Sequence, residues 1–218
     1  MSEVELVPAA EHSSLALGFA ELAGSATHPV EETEHDSLLY VTAGSGSLAL
    51  GHAGAELGRG YAALVAAGEN ALLSAHGEGL SFLRATVGPG ADRHAPMGPR
   101  ELVVDLGAAG SAHATGTRSF QILFGPHNGS TRATLFAGFI PPGRAPWHYH
   151  LYDEIVWVPE GPGRLHRSGS DEPLGPGSAF RLRPRDVHIV ENASPDREMT
   201  VIGVFTPAGS PSAAYLAC

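Results

Sequence analysis

The chain has 218 residues, a formal net charge of −10, and 28 glycines and 17 prolines. That acidity argues against the basic footprint of a nucleic-acid binder, no apolar run is long enough to span a bilayer as a helix, and Cys218, the one cysteine, excludes an intrachain disulfide. All 13 cationic side chains are arginine, so no lysine is present to form a Schiff base with a substrate carbonyl or pyridoxal phosphate.

The apolar residues fall in short runs punctuated by glycine and proline, a pattern of many short strands joined by turns. In chain order, strands are expected over residues 15–22, 37–42, 47–50, 62–65, 80–86, 102–105, 119–124, 134–140, 154–158, 179–183, 188–191 and 199–205. No stretch shows a helical period with caps at its ends. The fold class is therefore all-β, a sandwich or a barrel.

The chain also repeats itself. A shift of 117 positions lays Leu38-Leu39-Tyr40-Val41 on Ile155-Val156-Trp157-Val158, and Gly44, Gly46, Gly58 and Gly60 on Gly161, Gly163, Gly175 and Gly177. Turn glycines matched at one offset indicate two copies of one β unit. The Gly- and Pro-rich stretch over residues 88–99 has a linker's composition, which divides the chain into residues 1–98 and 99–218.

Chemistry concentrates in the second copy. His148, His150 and Glu154 have equal parity, so a strand presents all three on one face, whereas a helix would turn His148 about 200° from His150. The β-formers Ile155-Val156-Trp157-Val158, bracketed with the histidines by Pro146 and Pro159, favour the strand. His188 follows in an apolar run 34 residues after Glu154 and is expected on a neighbouring strand. Three imidazoles and a carboxylate are a ligand set for a divalent transition metal with positions left open. In the gap-free register these four residues fall on Glu31, Thr33, Ser37 and Ala71, so the first copy lacks the set. His28 and His35 read as solvated residues, and His166, between Arg164 and Arg167, as facing water.

Residues 143–161 resemble the first motif of the cupin family: glycine, His-x-His, a glutamate shortly after, and a closing glycine. Gly143 stands one residue nearer His148 than is usual. Gly177, His188 and Asn192 match the second motif, with Arg183 and Arg185 where proline and glycine are common. The resemblance implies a bicupin: two double-stranded β-helix (jelly-roll) barrels in tandem, a degenerate N-terminal one and a C-terminal one that binds metal. It implies His148, His150, Glu154 and His188 as the ligands of one divalent ion per chain, and Asn192 as a turn-shaping residue beside the site.

Such a centre accepts Fe(II), Mn(II), Ni(II), Co(II) or Zn(II). Iron and dioxygenase chemistry are expected first, on a hydrophobic or aromatic small molecule, because Phe136, Phe139, Trp147, Tyr149, Tyr152, Trp157 and Phe180 lie on or beside the motif strands. The alternatives are a non-redox isomerase, decarboxylase or lyase, and a ligand-sensing cupin without catalysis. Tyr152 shares parity with His150 and is the candidate to bond a substrate or a metal-bound water, or else a tyrosine at the barrel rim. Trp157, of opposite parity, is expected between barrels or at a dimer contact. Arg181, Arg183 and Arg185 suit either a substrate carboxylate or a solvated or interface face. A cytoplasmic protein is expected, with a small-molecule substrate, no nucleic-acid or membrane partner, and exposed sheet edges that would suit a homodimer.

Overall fold

The computed structural model describes residues 1–114 and 116–217, so Cys218 lies outside the described residues. The first half forms β1 (Ser2–Val7), β2 (Leu15–Ala23), β3 (Thr27–Glu32), β4 (Asp36–Leu50), β5 (Ala53–Gly58), β6 (Tyr61–Val65) and β7 (Glu69–Val87). After a connection come β8 (Val103–Asp105), β9 (Ser111–His113), β10 (Ser119–Phe124), β11 (Thr134–Ile140), β12 (His148–His150) and β13 (Asp153–Trp157). The chain ends with β14 (Gly163–Arg167), β15 (Ser170–Leu174), β16 (Ala179–Leu182), β17 (His188–Asn192), β18 (Met199–Thr206) and β19 (Ala214–Leu216). Two short 3₁₀ turns are the helical elements described.

The fold is all-β: two jelly-roll barrels in tandem. The first is an eight-stranded sheet, β1-β2-β7-β4-β6-β8 with β3 on β7 and β5 on β4. β8 lies beyond residue 98 in the chain and pairs with β6 of this sheet. The second barrel has a six-stranded sheet, β16-β13-β18-β11-β10-β9, facing a five-stranded sheet, β15-β14-β17-β12-β19.

The two strands expected over residues 37–42 and 47–50 are one strand, β4, of 15 residues. It continues because it bends and does not break. Its register against β7 shifts at Val41/Ala43 and at Gly44/Ser45, and Gly44 (φ +79°) packs so closely that a Cβ there would lie 2.0 Å from the Gly79 carbonyl oxygen. The counterparts of β4 and β7 in the second barrel are each split in two, β13/β14 and β17/β18.

Alternation explains why the repeated apolar runs are apolar on both faces. Leu39 and Val41 point into the first barrel, while Leu38 and Tyr40 point out. Val156 and Val158 point into the second barrel, while Ile155 and Trp157 point out. The outward residues meet in one cluster with Leu15, Leu83, Leu123, Phe124, Leu135 and Val204, which joins the barrels back to back. Trp157 thus packs between barrels, as its parity predicts.

Ion pairs flank this seam at positions related by the repeat. Asp36 pairs with the buried Arg132 at 3.3 Å, and Arg132 also donates to the Glu34 carbonyl. Asp153 pairs with Arg181, whose other donors reach the Pro8 and Leu15 carbonyls of the first barrel. Of the two readings of Arg181, the interface one holds.

Candidate metal centre

β12 and β17 meet with His148 directly opposite His188, and His150 lies two residues along β12 on the same face. All three imidazoles are buried, and one nitrogen from each lies within 4.8 Å of the others. Among the described residues this is the one cluster of three or more His, Cys, Asp or Glu side chains with that spacing. Ring centroids are 4.6 Å apart for His148–His188 and 5.1 Å for the other two pairs.

Glu154 joins them by a different route from the one its parity suggests. The expected continuous strand breaks at Leu151-Tyr152, and the chain crosses from the five-stranded sheet to β13 in the six-stranded one. Glu154 therefore faces the histidines across the barrel, with its Oε2 3.7 Å from His150 Nε2. Sequence parity survived because the turn preserves the inward phase.

Burial sets the protonation states. It drives the His148 imidazole below its ordinary pKa, against a Pro146 backbone hydrogen bond that favours the charged form. Burial, then the neighbouring His148, holds His150 down at about 4, and burial holds His188 down at about 3. All three are neutral at pH 7, the form that ligates metal. Glu154 is pushed up to about 8 by burial and then by the Asp153 charge, with Arg118 opposing.

The residues fit a divalent ion. His148 Nδ1 contacts the Pro146 carbonyl at 2.9 Å and His188 Nδ1 the Asp186 carbonyl at 2.8 Å. With Nδ1–H donating there, each Nε2 lone pair is left for a metal. The buried His150 Nδ1 makes no well-formed hydrogen bond. Glu154 is a buried carboxylate whose desolvation a cation would offset.

Tyr152 is buried and lines the cavity, but its ring is stacked between His150 (4.6 Å) and Phe205 (4.0 Å). Its hydroxyl donates to the Pro211 carbonyl at 3.3 Å. Of the aromatics expected around the site, Phe136 and Phe139 line it, joined by Phe120. Trp147 is 39% exposed, Tyr149 stacks on Tyr215 at 5.4 Å, and Phe180 belongs to the barrel core.

Asn192 shapes a turn, as the motif implies. It is buried, donates to the Ile140 and Arg197 carbonyls at 2.8 and 2.6 Å, and accepts from the Ser194 N–H at 2.9 Å. His166 corrects the solvated reading. It is 2% exposed, with Nδ1 2.6 Å from Asp171 and Nε2 2.5 Å from Glu191. Its carboxylate partners stand on β15 and β17, which the two flanking arginines gave no hint of.

Sequence reasoning missed Arg118. This residue enters the barrel just before β10, donates through Nη2 to the Val190 carbonyl and lines the histidine cavity. Burial lowers its pKa to about 10, with Glu154 opposing. No motif marks it. The cavity itself is small, about 80 Å³, and otherwise walled by apolar groups such as Phe120, Ile140, Val156 and Leu182. A crevice of about 660 Å³ between the barrels is larger but contains none of the three histidines.

Residues 137–205 match the model of the cupin domain, and these residues hold every candidate ligand. The segment that holds the candidate ligands is thus a cupin domain. The chain is 40% identical over 63 residues to L-ectoine synthase of Rhodococcus opacus, covering 28% of this chain and 46% of that protein. The same enzyme of Mycolicibacterium gilvum is 36% identical over 63 residues, with the same coverage. The match thus spans about half the length of these curated relatives. In fold the chain resembles oxalate decarboxylase of Bacillus subtilis (TM-score 0.76, 13% identity, 94% of this chain and 71% of that one). AerE of Microcystis aeruginosa is similar too (TM-score 0.73, 12% identity, 88% of each chain).

The first barrel shows what replaced the site. β3 pairs with β7 in the register Val30↔Ala71, the counterpart of His148↔His188. His148 and His150 therefore correspond to Val30 and Glu32. The gap-free alignment, which gave Glu31 and Thr33, is off by one because the turn after β3 is a residue longer, and one residue reverses every face. There the Glu32 carboxylate accepts from Ser37, at the position of Glu154, and from Arg84 Nη2 at 2.6 Å. A closed ion-pair network stands where the second barrel gathers imidazoles.

Proposed function

We propose that this cupin is a metal-dependent enzyme acting on a small organic molecule, with His148, His150, Glu154 and His188 as ligands of one divalent ion. The observation that carries the reading is the convergence of three buried imidazoles opposite a buried carboxylate in a largely apolar cavity. In this reading residues 1–98, with β8 (Val103–Asp105) added to their sheet, form the barrel without ligands, and the rest of residues 99–218 form the catalytic one. The bound ion would supply Lewis acidity toward a carbonyl or carboxylate oxygen. The chain's own residues orient the ligands through Pro146 and Asp186, hold the His150 ring by stacking on Tyr152, and exclude water with Phe120, Phe136 and Phe139.

Non-redox chemistry, of the isomerase, decarboxylase or lyase kind, is the first reading. The names synthase and decarboxylase among the relatives support it. An Fe(II) dioxygenase is the second, supported by the aromatic lining and a donor set that also accepts iron. Anaerobic purification, metal analysis and turnover with and without dioxygen separate them. Manganese, cobalt, nickel or zinc with oxygen-independent turnover supports the first, whereas iron with substrate-dependent oxygen uptake refutes it in favour of the second. Less than one divalent ion per ten chains after metal loading would refute both.

A further inference from the structure

Among arginines drawn into the protein, Arg118 differs in its partners. Arg84, Arg132 and Arg181 each pair with a carboxylate: Glu32, Asp36 and Asp153. Among the described residues no ion pair involves Arg118, and one of its five N–H donors is directed to the Val190 carbonyl. Arg118 is half-buried, and a guanidinium partly withdrawn from water with most of its donors uncommitted is suited to receive an anion. Glu154 is the nearby carboxylate charge, and in the holoprotein it would be engaged by the ion.

Arg118 is also shared by two cavities. It lines the histidine cavity and also a second cavity of about 190 Å³, bounded by Gly116, Pro141, Gly143, Arg144 and Pro146. It thus stands where the two cavities adjoin. The remaining walls of the histidine cavity are largely apolar, so they add no competing anion apart from the candidate ligand Glu154. A divalent ion, Glu154 and Arg118 sum to a formal +2 (+2 − 1 + 1), which favours an anionic guest.

We propose that Arg118 anchors the substrate and that the site takes a small carboxylate with a short carbon skeleton, its acid group on the guanidinium and another oxygen toward the metal. This rests on the metal-enzyme reading above. The guanidinium fork matches a carboxylate bidentately, which an ammonium does not.

The test uses Co(II)-loaded full-length protein, whose visible absorption reports ligands entering the metal's surroundings, titrated with pyruvate and with its neutral analogue pyruvamide. Wild type should bind pyruvate at least about 10-fold tighter than pyruvamide, and Arg118→Gln should lose roughly 10- to 100-fold in pyruvate affinity while keeping its pyruvamide affinity. Arg118→Lys should fall between them. Cobalt content and circular dichroism, measured on each variant, show that fold and ion are retained. Equal pyruvate affinity in wild type and both variants, equal affinity of wild type for the two probes, or no response to pyruvate at all would overturn the proposal while leaving the metal site intact. Wild type that takes up no cobalt overturns the metal reading, and the anchoring role with it.

Discussion

His188→Ala isolates the metal's contribution to the fold. His188 is 1% exposed, directly opposite His148, and tied by Nδ1 to the Asp186 carbonyl. An ion held by four side chains stabilises the native state by mass action, by about 2.7 kcal/mol at a free concentration of 100 times Kd. For a chain of 218 residues each kcal/mol moves Tm by about 2–4 °C, so wild type should gain about 5–11 °C on adding metal. Losing an outer-shell partner of a metal ligand costs up to about 100-fold in affinity, and losing the ligand itself should cost at least as much. The same metal concentration is then at or below the variant's own Kd, so the variant gains at most about 0.4 kcal/mol, or about 1–2 °C. The substitution also removes the Asp186 hydrogen bond, about 1 kcal/mol, but with metal present or absent alike. The difference between metal-free and metal-loaded melts therefore reports the ligand role alone. Differential scanning calorimetry with Mn(II), alongside metal analysis, measures it. Equal metal content and an equal metal-induced rise in Tm in both proteins would refute the assignment.

Asn192→Ala should leave metal occupancy near one per chain but cost about 2–4 kcal/mol in urea unfolding, because two buried carbonyls and the Ser194 N–H lose their partner; loss of metal with unchanged stability would contradict this. At Gly203 an added Cβ would lie 2.3 Å from a ring carbon of Phe136. Gly203→Ala should therefore cost about 1–3 kcal/mol and displace a wall of the cavity, seen as a lower urea midpoint, and an unchanged midpoint would show that the ring moves freely. In the metal-free protein the depressed histidines contribute stability above about pH 6.5 that is lost as pH falls toward about 4 and then 3. Glu154 acts in the opposite sense: its contribution is present below about pH 4.5 and lost as pH rises through about 8. The metal-free Tm should thus fall between about pH 6.5 and 9, and bound metal should suppress the fall by stabilising the carboxylate; an alkaline limb that is the same with and without metal would count against a ligand role for Glu154.

The sequence alone determined the all-β class, the two-fold repeat and the inward phase of His148, His150 and Glu154, because strand parity is a local property with a period of two. The outward placement of Trp157 follows from the same parity. Local pattern fails where a partner is distant in the chain. His166 reads as solvated beside Arg164 and Arg167, yet Asp171 and Glu191 bury it from two other strands. A single extra residue after β3 was enough to misalign the first barrel's Val30 and Glu32 with the second barrel's histidines, since spacing in a turn is invisible to a gap-free register. Strand order alone showed that Glu154 crosses to the facing sheet and that Arg118, outside every motif, reaches the same cavity. The residues that can ligate a metal were thus written in the sequence as a period, whereas which groups face them, and so what charge a substrate meets, depends on contacts that only the closed barrel brings together.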